Sequence, residues 1–277
     1  MGADDEPQWR PLNSHVPHSA RVWNYLLGGK DNYGADRTTG ELVIQRFPGI
    51  AVLARLQRQF LARAVSMLAG ECGIRQFLDI GAGLPTVNNT HEVAQRIAPK
   101  SRIVYVDNDP MVLAHAKALL TSTPGGTCDY IDADIRDTQT ILDAAAVTLD
   151  FNRPVALTML GIMGQLPDGD DPHAIVAQLL DALPPGSYLA LSDGTDTNAT
   201  LNDAIAAYNA DSASSYHLRS PHQIARFFDG LDLIEPGVVP TAAWHPVPAS
   251  TTATEPTGET DTENEVDAIC GIGAKNH

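Results

Sequence analysis

The run Gln76-Phe77-Leu78-Asp79-Ile80-Gly81-Ala82-Gly83, followed by Ile103-Val104-Tyr105-Val106-Asp107-Asn108-Asp109, constrains this chain more than any other feature. Each segment is a short apolar run closed by an acid, and the first opens into two glycines. A buried strand that ends in a glycine turn lets backbone approach a ligand closely. A second strand with a carboxylate at its tip can accept hydrogen bonds from a ribose diol. Together they predict a nucleoside-bearing cofactor held at the ends of parallel strands.

Around this pair the chain alternates strand and helix. Strands are predicted over 76–80, 103–107, 128–132, 154–160 and 187–192. Helices are predicted over 87–98, 110–120, 137–146, 172–182, 198–207 and 220–229. Alternation of this kind implies a parallel sheet covered by helices on both faces. The end differs: 231–239 and 266–272 read as strands with no helix pattern between them, which predicts an antiparallel hairpin closing the sheet. Before the first strand, helices are predicted over 20–27, capped by Ser19, over 38–46, and over 51–71. In the last, Val52, Leu53, Leu56, Phe60, Ala64 and Leu68 form one apolar stripe. The expected organisation is a flexible arm over 1–18, a helical cap or lid over 19–74, and a core over 75–277. Residues 248–265, rich in Thr and acids, are read as a flexible loop within that core.

No apolar run approaches the length of a membrane span. The acidic start lacks the apolar region of a secretory leader. Cys72, Cys128 and Cys270 form neither a disulfide framework nor a metal spacing. A reducing cytoplasm and no membrane association are therefore expected. The net charge of −16 repels phosphate backbones and argues against nucleic-acid binding. Seven basic residues do cluster near the start: Arg21, Lys30, Arg37, Arg46, Arg55, Arg58 and Arg63. They form either a solvated helical face or a positive rim around an anionic substrate.

The chemistry around the glycine turn selects among cofactors. A dinucleotide site wants glycine at position 86, where this chain has Thr86, and a carboxylate such as Asp79 is unfavourable beside a pyrophosphate. Beside the ammonium and sulfonium of S-adenosylmethionine it is favourable. Asp79, Gly81 and Gly83 are thus candidates for the methionine end and Asp107 for the ribose, with Asn108 beside it a further cofactor-binding candidate. Asp134 and Ile135 are candidates for the adenine, with Asp134 equally readable as a helix cap. Leu160 and Gly161, closing the fourth strand, would flank the cofactor. Asp109 is read as a cap, and Asp168, Asp170 and Asp171 as a turn and cap rather than a metal site. His91 is either a ligand contact or a surface residue. His217, His222 and His245 are weak general-base candidates.

At this level of detail the chain resembles the class I S-adenosylmethionine-dependent methyltransferases. It is similar to the actinomycete S-adenosyl methyltransferase family first catalogued as a domain of unknown function. The likeness rests on Ala20-Arg21-Val22-Trp23-Asn24-Tyr25-Leu26-Leu27-Gly28-Gly29-Lys30-Asp31-Asn32-Tyr33, on Phe77 to Gly81 and on Leu84-Pro85-Thr86. It extends through Asn89 to Gln95, Val104 to Pro110, and Phe227-Phe228-Asp229-Gly230-Leu231. It implies an α/β, Rossmann-like class I fold with a seven-stranded, mostly parallel sheet, an antiparallel C-terminal hairpin and a helical cap. It also implies that the segment from Arg21 to Tyr33 folds over the cofactor. Where a histidine–aromatic pair is expected after the fourth strand, this chain has Gly164-Gln165. The implied activity is methyl transfer from S-adenosylmethionine to a small molecule. Arg21, Tyr25, Lys30, Tyr33 and Asp193 are substrate-side candidates, and no metal is expected. A non-catalytic S-adenosylmethionine-binding module and an NAD-dependent oxidoreductase are the alternatives.

Overall fold

The computed structural model describes residues 13–119, 122–212, 215–245 and 267–276. The predicted arm therefore lies outside the described residues as far as position 12, and the predicted acidic loop lies outside them altogether. Three helices come first: α1 (Ser19–Leu26), α2 (Gly34–Arg46) and α3 (Ile50–Gly70). The first starts one residue before its predicted position, because Ser19 is inside the helix and His18 is its N-cap. The second starts four residues early, because the Asp36 carboxylate accepts the Tyr33 N–H at 2.8 Å and holds the first turn together.

The strand–helix alternation follows: β1 (Gln76–Ile80), α4 (Thr90–Ile97), β2 (Arg102–Asp107), α5 (Pro110–Leu119), β3 (Thr127–Asp132) and α6 (Thr138–Ala145). Then come β4 (Ala156–Leu160), α7 (Pro172–Asp181), β5 (Ser187–Gly194), α8 (Ala199–Asp211) and the short α9 (Pro221–Ala225). The predicted strand over 231–239 is in fact two short pieces, β6 (Asp232–Leu233) and β7 (Val239–Pro240). A turn between them contains the cis Glu235–Pro236 bond. With β8 (Ala268–Lys275) the sheet has eight strands in the order β3-β2-β1-β4-β5-β8-β6, with β7 also on β8. The expected sixth strand is thus split rather than displaced, which makes eight of the expected seven. β1 to β5 pair parallel, and β8 runs antiparallel to β5, β6 and β7.

All five residues of β1 are buried, as a central parallel strand requires. Its period-two alternation sorts them. Phe77 joins a core cluster with Phe60, Ala64 and Leu68 of α3 and with Val93 and Ala94 of α4. Leu78 and Ile80 join the cluster on the opposite face, with Ile141 of α6 and Leu179 of α7. Asp79 points to the Phe77 side, which delivers its carboxylate toward α3 and α4. Each fully buried Leu or Phe here is worth about 1.5–3 kcal/mol.

Candidate active site

The strand order reverses between β1 and β4, and open α/β sheets bind ligands outside the carboxyl ends of strands at such a switch point. A cavity of ≈ 570 Å³ opens there. Gly81 starts the turn over it with φ of 73°, and its N–H donates to the Val106 carbonyl at 2.8 Å. A Cβ at this position would sit 2.8 Å from the Ile162 side chain, so only glycine fits both the angle and the space.

The cavity is lined by Asp79, Gly81 and Gly83 at the end of β1 and just beyond it, by Asp107 and Asn108 at the end of β2, by Asp134 and Ile135 after β3, and by Leu160 and Gly161 at the end of β4. All nine cofactor candidates therefore meet in one place. The Asp107 carboxylate accepts the Gly83 and Asp109 N–H groups at 2.8 and 3.0 Å, tying the glycine turn to the second strand. Asp79 accepts the Thr90 hydroxyl at 2.5 Å. Burial is the main influence on both carboxyls and raises their pKa values, against the hydrogen bonds they accept. The ambiguity at Asp134 is resolved by its neighbour. Asp137 caps α6 by accepting the Thr140 N–H, while Asp134 faces the cavity and pairs with Arg136 at 3.1 Å.

The substrate-side candidates divide differently. Arg21 is 4% exposed and turned away from the cavity. It donates to the Asn13 and Val16 carbonyls, lies 3.4 and 3.7 Å from the Asp36 and Asp109 carboxylates, and stacks over Tyr33. Tyr25, one helical turn on, shares that outer face and its hydroxyl reaches Glu41. Lys30 is exposed, and neither it nor Tyr33 lines the cavity. The face of α1 that does cover the cavity carries Val22, Trp23 and Leu26. Asp193 lies behind the cavity wall, accepting the Gly164 and Gly194 N–H groups at 2.8 Å and the Tyr216 hydroxyl. Asp109 accepts the Met111 N–H as a cap and also pairs with His18 at 2.9 Å. Asp171 caps α7, and Asp168 and Asp170 pair with Arg219 and Arg136. His91 neither lines the cavity nor lies on the surface: it is buried against the Tyr105 hydroxyl at 2.8 Å, and burial lowers its pKa.

A family model described as S-adenosyl methyltransferase matches residues 5–276. The chain belongs to that family. The same assignment makes S-adenosylmethionine its cofactor and methyl transfer its activity, and it supports neither the non-catalytic nor the NAD-dependent alternative. A DUF574-family protein from Streptomyces avermitilis MA-4680 is similar in structure, with a TM-score of 0.87 at 42% identity. That match covers 95% of this chain and 98% of the other. A candidate methyltransferase from Thermobifida fusca YX is similar at 39% identity and a TM-score of 0.83, over 95% of this chain and 96% of the other. The plantazolicin methyltransferase BpumL shares the fold at 12% identity, with a TM-score of 0.50 over 93% and 96% of the two chains. No curated protein matches at a significant level. Among the described residues, no helix is long and apolar enough to cross a membrane.

Several lining residues carried no signal in the sequence. Of the seven clustered cations, Arg58 alone reaches the cavity, and it does so from α3. Its terminal amine bonds the Val87 and Asn88 carbonyls and the Asn89 side chain, while its Nε is buried without a partner. Burial pulls the guanidinium pKa down, opposed first by Asp79. Thr86 also presents a buried, unpartnered hydroxyl. The remaining wall comes from α1, α2, α3 and α8 and from 215–218, and is largely apolar.

These residues fit S-adenosylmethionine. Asp79 and Asp107 are acceptors of the kind an ammonium and a ribose diol require, and a guanidinium with a spare donor and a spare hydroxyl are donors of the kind a carboxylate requires.

Proposed function

We propose that the enzyme methylates a small molecule held beside the cofactor, in the part of the cavity covered by the helical segment 19–74 acting as a cap on the core over 75–277. The observation that carries this reading is the continuity of one cavity. It runs from the acid-bearing strand ends into an apolar chamber beneath α1 to α3. A volume of ≈ 570 Å³ is in the range of pockets for drug-sized ligands, so it suits a cofactor with a compact acceptor rather than a macromolecule. The acidic net charge is in keeping with this.

Asp79 would take the methionine ammonium and Arg58 its carboxylate. Asp107, with Asn108, would hold the ribose, and Asp134 and Ile135 the adenine, with Leu160 and Gly161 alongside. The cofactor supplies a methyl carbon already activated by its sulfonium. What the chain adds is alignment and exclusion of water, which are the main demands of an in-line displacement. The cap side chains Val22, Trp23 and Leu26 close the chamber for that purpose.

Calorimetry with S-adenosylmethionine and with its demethylated product, S-adenosylhomocysteine, tests the assignment. Saturable one-to-one binding of both is expected, with NAD inert. No heat at millimolar ligand, or tighter binding of NAD, would overturn it.

A further inference from the structure

Resting on that reading, we propose that the acceptor is an uncharged, ring-sized apolar molecule whose hydroxyl or amine hydrogen-bonds to the imidazole of His217.

The first support is the distribution of charge around the cavity. Every carboxylate on its wall belongs to the strand ends: Asp79, Asp107 and Asp134. Both guanidiniums, Arg58 and Arg136, are engaged there too. The far wall is made by Trp23, Leu26, Leu53, Leu201, Ile205 and Leu218, all of one apolar cluster that joins α1, α3 and α8 to the 215–218 segment. The polar residues of this wall, such as Asn24, Tyr208 and Ser215, are uncharged, so a carboxylate, phosphate or ammonium on the acceptor would lose water there without gaining a counter-ion. A flat apolar ring loses nothing there.

The second support is the placement of His217. Two imidazoles line the cavity, and His18 is already held by Asp109. The His217 ring, half-buried, bonds to no described residue. Its backbone, in contrast, is tightly fixed. The His217 N–H donates to the Gly164 carbonyl at 2.7 Å. Tyr216 exchanges bonds with Asn209 at 2.7 and 2.8 Å, and its hydroxyl donates to Asp193. The Tyr216 ring occupies the space a side chain at position 164 would need. Gly164 thus makes room for Tyr216, and Tyr216 sets the loop that presents His217. Tyr216 is a positioning residue: burial, then the charge of Asp193, raise its phenol well above the ordinary range, so it keeps its proton. An anchored loop that leaves one imidazole free is the arrangement expected of a proton acceptor. When the acceptor's oxygen or nitrogen gains its methyl group, it gives up its proton to a ring nitrogen of His217. The positive charge lost from the sulfonium then resides on the imidazolium.

The test uses the full-length protein saturated with S-adenosylhomocysteine, with binding read from tryptophan fluorescence and calorimetry. The probes are 2-naphthol, naphthalene and 2-naphthoate. We expect 2-naphthol to bind about tenfold more tightly than naphthalene, one charge-free hydrogen bond, and 2-naphthoate at least tenfold more weakly than 2-naphthol. In His217→Phe, S-adenosylhomocysteine affinity is unchanged and the advantage of 2-naphthol over naphthalene disappears. Naphthoate binding as well as naphthol, no naphthalene probe binding to the loaded protein, or a hydroxyl advantage that survives in His217→Phe would each overturn the proposal while leaving the cofactor assignment standing. Failure to bind S-adenosylhomocysteine at all would remove the reading beneath it.

Discussion

The two walls of the cavity are built on different principles. The strand-end wall is assembled from four neighbouring strands, and each contributes its residues from one place, the last positions of the strand and the first ones beyond its carboxyl end. Backbone geometry dictates the result: strand spacing, a glycine turn and carboxylates bonded to amides. The cap wall is drawn from 18–61 and 201–218, which lie on either side of the strand-end motifs in the chain and meet only through side-chain packing. The first wall reads charge and hydrogen-bonding pattern, and the second reads shape and the absence of charge. Cofactor and acceptor recognition are therefore separable by substitution.

The largest expected effect tests the strand-end wall. Asp79→Ala removes the proposed partner of the methionine ammonium and should weaken S-adenosylhomocysteine by about 100-fold in calorimetry, the scale of truncating one side of a desolvated charge pair. Unchanged affinity would mean that this wall does not read charge. Asp107→Ala comes next, at about 30-fold, because it removes a charged acceptor and frees the Gly83 N–H.

Asp109 joins the two walls, and its expected effect is on stability. Burial opposes ionisation of its carboxyl, but the His18 ring, then the Met111 N–H and Arg21, outweigh it and hold the pKa below the ordinary value. A depressed carboxylate adds stability that is complete above the unfolded pKa of about 3.9 and is lost as pH falls through the folded one. Asp79 and Asp107, raised by burial, have the opposite sign. Asp109→Asn should therefore cost about 1.5–2 kcal/mol in urea melts at neutral pH. The difference from the native protein should shrink below about pH 4. A difference independent of pH would assign Asp109 to packing alone.

Smaller effects fall on the cap wall. Ile205→Gln, half-buried and lining the chamber, should weaken 2-naphthol about fivefold through lost apolar contact while leaving S-adenosylhomocysteine within about twofold. Equal loss of both ligands would show that the walls are not separable. Lys30→Ala, exposed and outside the cavity, should change neither affinity, and stability by less than about 0.5 kcal/mol by thermal melt.

The same contrast explains what could be read from the residues. The sheet, its parallel half and the nine cofactor-side candidates follow from local rules: apolar runs, an acid at or just past the tips of the first three strands, glycines where φ is positive. The end of the sheet is less legible: the apolar residues between Leu231 and Val239 suggest one strand, while Pro236-Gly237 in their midst is a turn signal, and the structure divides the strand there. On the cap, the helices were visible but their facing was not. Arg21 and Tyr25 have the chemistry of substrate contacts, yet they share an outer face, and only the packing of Val22 and Leu26 against α3 and α8 reveals it. Arg58 was one cation among seven. His217 was one free histidine among several, and nothing local marks it, because its placement depends on a glycine 53 positions earlier accommodating the neighbouring tyrosine ring.

The Asp107–Asp109 loop carries a consequence of its own. One carboxylate faces the ribose site and the other anchors α1, and the Asp109 N–H is bonded to the first. A ligand that stiffens this loop would also stiffen the Asp109 contacts to His18 and Arg21 that hold α1. Reciprocity then requires that an acceptor settling under the cap tighten the hold on the cofactor by the same factor. Titrating S-adenosylhomocysteine with and without saturating 2-naphthol measures that factor, and in Asp109→Asn it should fall toward one.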